Sequence, residues 1–194
     1  MFETIFFFLP NSFELRANLH RFAAVGLIAL SAYHLYYCLF TADGRGNLRA
    51  LKLCRKDLSD LIGTVKYNLG RQDSLPEYPK FNVFEKFEYL GAGWGNVVMI
   101  VTGLLLWQQR WTLSFLPLWM YNVIQVVHRY EAILALSVIL IWHMYYVHLK
   151  PGQFPMGKVF LSGKISLHEM KTHHRSWYKQ YARQQLGIND SDRK

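Results

Sequence analysis

Charge is scarce in this chain. Only 18% of its 194 residues are Asp, Glu, Lys or Arg, against about a quarter in an ordinary soluble domain. Cysteine is scarcer still, at two. Cys38 and Cys54 form no Cys-x-x-Cys or Cys-x-x-Cys-His pattern, so covalently attached c-type haem and iron–sulfur clusters are not expected. One thiol sits in an apolar run and the other in a basic loop, so both read as ordinary thiols, not a structural disulfide. Thirteen glycines and six prolines without a repeat exclude a collagen. Low hydrophobicity with high net charge marks disorder, and 52% hydrophobic residues exclude that here.

The residues present fall into two populations. Mean hydropathy is only +0.04, and six Trp, twelve Tyr and thirteen Phe coexist with a formal charge of +9. Residues 41–86 carry nine Lys/Arg against six Asp/Glu, and residues 150–194 nine against three. The other 103 residues hold four of each sign. Three runs within them, 19–40, 88–107 and 127–149, reach the roughly 20 apolar residues that cross a hydrocarbon core. Three such runs need more amphipathic cover than 194 residues supply, so buried helices of a soluble protein are the poorer reading. The expected class is therefore an all-α membrane protein with three transmembrane helices.

Residues 1–18 read as an interfacial or partner-contacting segment, acidic at Glu3 and too short for a signal peptide. Between the second and third runs, Trp107, Trp111, Trp119 and Tyr121 read as an aromatic belt interrupted by Pro117, not a fourth span. The two basic segments share one side only with an odd number of spans. The positive-inside rule then predicts the loop 41–87 and the tail 150–194 in the cytoplasm, and the N-terminus outside. Anionic lipid accounts for the basic tail, and no nucleic-acid motif is present.

Histidine is costly inside a bilayer, so each one there is a functional candidate. Five of the eight lie in the apolar runs: His20 and His34 in the first, His128, His143 and His148 in the third. The first and third spans run in the same direction. His34 follows His20 by 14 residues and His143 follows His128 by 15, near 21–22 Å in each case at about 1.5 Å per residue. At about 100° per residue these steps return within roughly 40° and 60° of the starting face. Two imidazole pairs stacked across the membrane is the layout for two bis-histidine b-type haems. His148 would point roughly 200° from His128. Arg21 and Arg129 follow the outer pair directly and could bind haem propionates. Gly91, Gly93, Gly95 and Gly103 permit close approach of a macrocycle or, equally, of a neighbouring helix.

Several segments are similar to a known family: Lys80-Phe81-Asn82-Val83-Phe84-Glu85-Lys86, Val101-Thr102-Gly103 through Trp107, Gly163-Lys164, and His173-His174 with Trp177-Tyr178. Between residues 19 and 181 the chain resembles the membrane dihaem cytochrome b subunits of the formate dehydrogenase gamma and thiosulfate reductase type. Arg129-Tyr130-Glu131-Ala132, Trp142-His143 and Pro155-Met156 resemble bacterial cytochrome b domains found beside multihaem c-type cytochromes. The resemblance implies that His20 and His128 ligate the outer haem. The family takes an inner ligand from an additional helix absent here, and His34 with His143 is the available inner pair. It also implies a quinone site at Asn82, with Glu85 where the family has Gln; a solvated helix-start glutamate is the alternative for Glu85.

The expected function is electron transfer across the bacterial inner membrane between a quinone pool and a partner subunit. That partner would be an iron–sulfur or multihaem cytochrome c protein on the outer face. The chain would not be catalytic alone, except at a quinone site. Two rivals are a membrane anchor without redox function and a haem wire without a quinone site.

Overall fold

The computed structural model describes residues 12–149 and 154–186. Most of the expected interfacial segment, and the tail residues 150–153 and 187–194, lie outside the described residues. Among the described residues, the secondary structure is helical, with no strand. α1 spans Ser12–Phe40, α2 Ala42–Leu51, α3 Arg55–Asn68, α4 Val83–Trp107, α5 Gln109–Phe115 and α6 Leu118–Ser137. α6 continues into two π-helical stretches, Val138–His143 and Tyr145–Leu149, followed by α7 Val159–Ser162, α8 Leu167–His173 and α9 Arg175–Gln185.

Three helical stretches are long and apolar enough to cross a membrane: Phe13–Phe40, Val83–Trp107 and Leu118–Leu149. Only 6%, 11% and 0% of their most apolar stretches is buried within the chain. A core helix of a soluble protein hides its apolar side chains, whereas these present Phe22, Leu30, Trp94 and Ile141 outward. The chain is a multi-pass membrane protein. Each helix starts before its apolar run, because caps and polar first turns set helix starts while hydropathy sets only the hydrocarbon stretch.

The chain forms two compact units. The first comprises residues 1–45 and 94–134. At its α1–α2 corner the Thr41 hydroxyl donates to the Tyr37 carbonyl at 2.8 Å and accepts from Gly44 N–H at 3.0 Å. A Cβ at Gly44 would lie 2.2 Å from the Tyr37 oxygen, so the corner closes only around glycine. Past Trp107, the fully buried Thr112 donates to the Leu105 carbonyl at 2.7 Å, satisfying a helix-end acceptor. The chain then turns at Pro117 into α6, as the interrupted aromatic stretch predicts.

The second unit comprises residues 46–93 and 135–194, and a buried ion pair ties it together. Lys86 Nζ donates to Asp57 Oδ1 and Oδ2 at 2.8 and 3.0 Å and to the Lys52 carbonyl at 3.1 Å. Asp57 in turn accepts from Cys54 N–H at 2.7 Å at the start of α3. Burial pushes the Asp57 carboxyl up, but the Lys86 and Cys54 hydrogen bonds outweigh it and hold it below its ordinary value. The tail docks on the segment before α4. His174 Nδ1–H donates to the Pro79 carbonyl at 3.0 Å, Ser176 N–H to the Tyr78 carbonyl at 3.1 Å, and Lys179 pairs with Glu77 at 2.6 Å. Cys38 and Cys54 form no disulfide with each other.

Removing one partner of a buried pair strands the other charge, at a cost of about 3 kcal/mol or more. Lys86→Met is therefore expected to lower thermal stability in detergent sharply, and Asp57→Leu/Lys86→Met to recover most of the loss. Because the Asp57 pKa is depressed on folding, its contribution is complete above the unfolded value of about 4 and is lost as pH falls through the folded value. A melting series from neutral to acid pH should show this decline, reduced in Asp57→Asn.

Candidate functional site

The first unit brings two of the predicted histidines together. The His20 and His128 ring centroids are 6.1 Å apart, with planes at 89°. His128 is oriented from the second span. The single proton of Thr102 Oγ1 goes to the Val98 carbonyl at 2.6 Å, so the oxygen 2.8 Å from His128 Nδ1 accepts the ring N–H. That fixes the tautomer and leaves the Nε2 lone pair available. Gly103 makes room for the ring: a Cβ there would lie 3.3 Å from His128 Cε1.

This spacing fits a metal bound axially by two imidazoles. With metal–nitrogen bonds of about 2 Å and ring nitrogens about 1.1 Å from each centroid, two opposed imidazoles place their centroids about 6 Å apart. A haem iron takes four ligands from the porphyrin and its axial ligands from the protein, so a pair suffices. Among the described residues no group of three or more His, Cys, Asp or Glu could hold a metal ion. At the same site the Arg21 guanidinium lies 5.9 Å from the Trp107 ring centroid and 3.5 Å from Asn18 Oδ1. Arg129 is exposed one residue beyond His128.

The remaining predicted ligands fall in different units. In the first, His34 Nε2 lies 3.5 Å from Cys38 Sγ one helical turn on. In the second, His143 Nδ1 bonds Glu88 Oε1 of the second span. Thus His128 and His143 are each held through Nδ1 by a polar second-span residue, Thr102 or Glu88. These partners were missed as site residues, although their spacing of 14 along an antiparallel helix complements the 15 between His128 and His143.

His148 also departs from the expected geometry. In α winding, residues five apart lie about 140° apart, whereas π winding places them one turn apart. The π-helical segment brings the His148 ring centroid within 6.4 Å of His143. Its buried Nδ1 has no hydrogen-bond partner among the described residues. Trp142, Tyr146 and Phe84 form an aromatic cluster in the same unit, with centroid separations of 4.7 to 6.3 Å.

Asn82 and Glu85 cap the second span reciprocally. Asn82 N–H donates to Glu85 Oε2 at 2.8 Å, and Glu85 N–H to Asn82 Oδ1 at 3.0 Å. This is a capping box, which by itself accounts for an amide and a carboxylate at this spacing.

No family model and no curated protein matches this chain. The functional reading therefore rests on the geometry of these residues and on the motifs they form.

If Thr102 sets the tautomer, nitrogen-15 NMR of histidine-labelled, haem-free protein should show His128 as the Nδ1–H form. Thr102→Val should produce a mixture. An unchanged tautomer would remove Thr102 from the site.

Proposed function

We propose that this chain is a dihaem b-type cytochrome subunit of a membrane oxidoreductase, carrying electrons between a quinone pool and a redox partner protein. The observation that carries the reading is the perpendicular His20–His128 pair at 6.1 Å, with the His128 Nδ1–H on Thr102. Haem, when bound, supplies the one-electron iron couple. His20, His128, His34 and His143 would supply the imidazole nitrogens that hold it, and Thr102 and Glu88 would orient two of those rings.

In this reading His20 and His128 bind the outer haem, and His34 and His143 the inner one. Glu88 would do for His143 what Thr102 does for His128, with a stronger acceptor that raises the basicity of the imidazole. Arg21 and Arg129, each next in sequence to a histidine of the outer pair, would meet the propionates. The positive-inside rule puts the basic loop and tail in the cytoplasm of a bacterium and His20 and His128 near the outer face. A partner with iron–sulfur clusters or c-type haems would meet the chain there.

Quinone exchange beside Asn82 and Glu85 belongs to the same reading and has to coexist with their cap. Glu85→Gln keeps an oxygen that can accept from Asn82 N–H but removes the titratable carboxyl. It is expected to leave stability unchanged and to slow haem reduction by quinol. An unchanged rate would leave these residues as a cap alone.

The central test is haem content. Purified protein should hold about two haems per chain with a low-spin reduced α-band. His20→Ala and His128→Ala should each lose about half of it, and Thr102→Val should keep the haem but shift one midpoint potential. Absence of an α-band, or full haem retention in His20→Ala/His128→Ala, would overturn the reading.

A further inference from the structure

A groove of about 570 Å³ lies in the second unit, where α2 and the turn after it meet the first turns of the second span. Leu48, Leu51 and Leu53 form one wall, and Tyr89 and Leu90 the other. Leu48, Leu53 and Leu90 are exposed, so apolar surface stays open at the groove. Two cations, Arg49 and Lys52, also line it.

These cations differ from their neighbours. Lys56 pairs with Asp60 at 2.6 Å and Lys86 with Asp57 at 2.8 Å. Among the described residues, Arg49 and Lys52 have no carboxylate within ion-pair distance. A large apolar groove flanked by two uncompensated cations suits an amphiphile with an anionic head. Its position narrows the choice. Tyr89 and Leu90 belong to a membrane-spanning helix, while α2 belongs to the basic loop, so the groove sits at the hydrocarbon boundary.

We propose that this groove binds an anionic phospholipid of the leaflet on the basic side. The phosphate lies between Arg49 and Lys52, and an acyl chain runs along Leu48, Leu51, Tyr89 and Leu90. Lys and Arg can bury their aliphatic stems against such a chain while keeping their charges at the headgroup. Basic pockets of this kind beside spanning helices recognise anionic headgroups, each cation contributing about five-fold in affinity. No histidine lines the groove, and the proposal does not depend on haem.

The test uses the full chain in nanodiscs of mixed phosphatidylcholine and phosphatidylglycerol, with retained lipid read by native mass spectrometry after release into detergent. Phosphatidylglycerol should be enriched over its bulk share. Arg49→Gln/Lys52→Gln should lower that enrichment about twenty-five-fold. Leu90→Trp, which fills the apolar part and leaves the charges, should lower retention of both lipids. Circular dichroism of each variant controls for folding. Equal retention of the two lipids, unchanged enrichment in the double glutamine variant, or competition by inorganic phosphate alone would overturn the proposal. Displacement of the lipid by added quinone at matched concentration would also overturn it, by making the groove a quinone site.

Discussion

An imidazole carried into hydrocarbon cannot leave its ring nitrogens to water, and that constraint organises this molecule. Thr102 accepts the Nδ1–H of His128, and Glu88 bonds Nδ1 of His143. Each contact orients one ring nitrogen and leaves the other free to act as a ligand. The second span, which carries no histidine, thereby sets the direction of the His128 and His143 rings. One of its glycines serves the same end: Gly103 leaves the space that the His128 ring fills. Substituting these second-span positions would disturb the histidines without touching them.

Around this polar arrangement there is little apolar core. Among the described residues the buried apolar side chains are Cys38, Leu51, Val83, Tyr121 and Met170. The spanning helices turn large side chains outward, where lipid takes the place of a protein interior. In lipid, association between helices rests on polar contacts and close packing at small residues, because hydrocarbon offers apolar side chains nothing less than a neighbouring helix does. Two flat macrocycles, if bound, would add apolar contact that the chain by itself does not make.

The basic half is built differently. The Lys86–Asp57 pair, the His174 contact with Pro79 and the Lys179–Glu77 bridge join the loop helices and the tail to the start of the second span. Lys86 is both a cation of the loop and part of the first turn of a spanning helix, so its burial links the two environments. Charges consumed in these contacts hold the fold. Arg49 and Lys52 are not among them and line the groove beside the second span instead.

The helical class and the number of spans were legible from residue order, because crossing hydrocarbon requires about 20 apolar residues whatever the tertiary arrangement. The proximity of His20 and His128 was legible for a similar reason, since two parallel helices entering at the same depth bring matching positions together. The spacing of Asn82 and Glu85 was legible as well, but it admitted two readings, and their reciprocal hydrogen bonds show a helix cap. Only the tertiary structure decided the rest. Helix starts at Ser12, Val83 and Leu118 depend on first turns that hydropathy does not register. Thr102 and Glu88 acquire meaning from the helix opposite them. The placement of His148 beside His143 depends on π winding, which no α-helical projection contains. Length and polarity along the chain determine what must enter the membrane, but which nitrogen of a buried imidazole is held is settled by the group that reaches it from another helix.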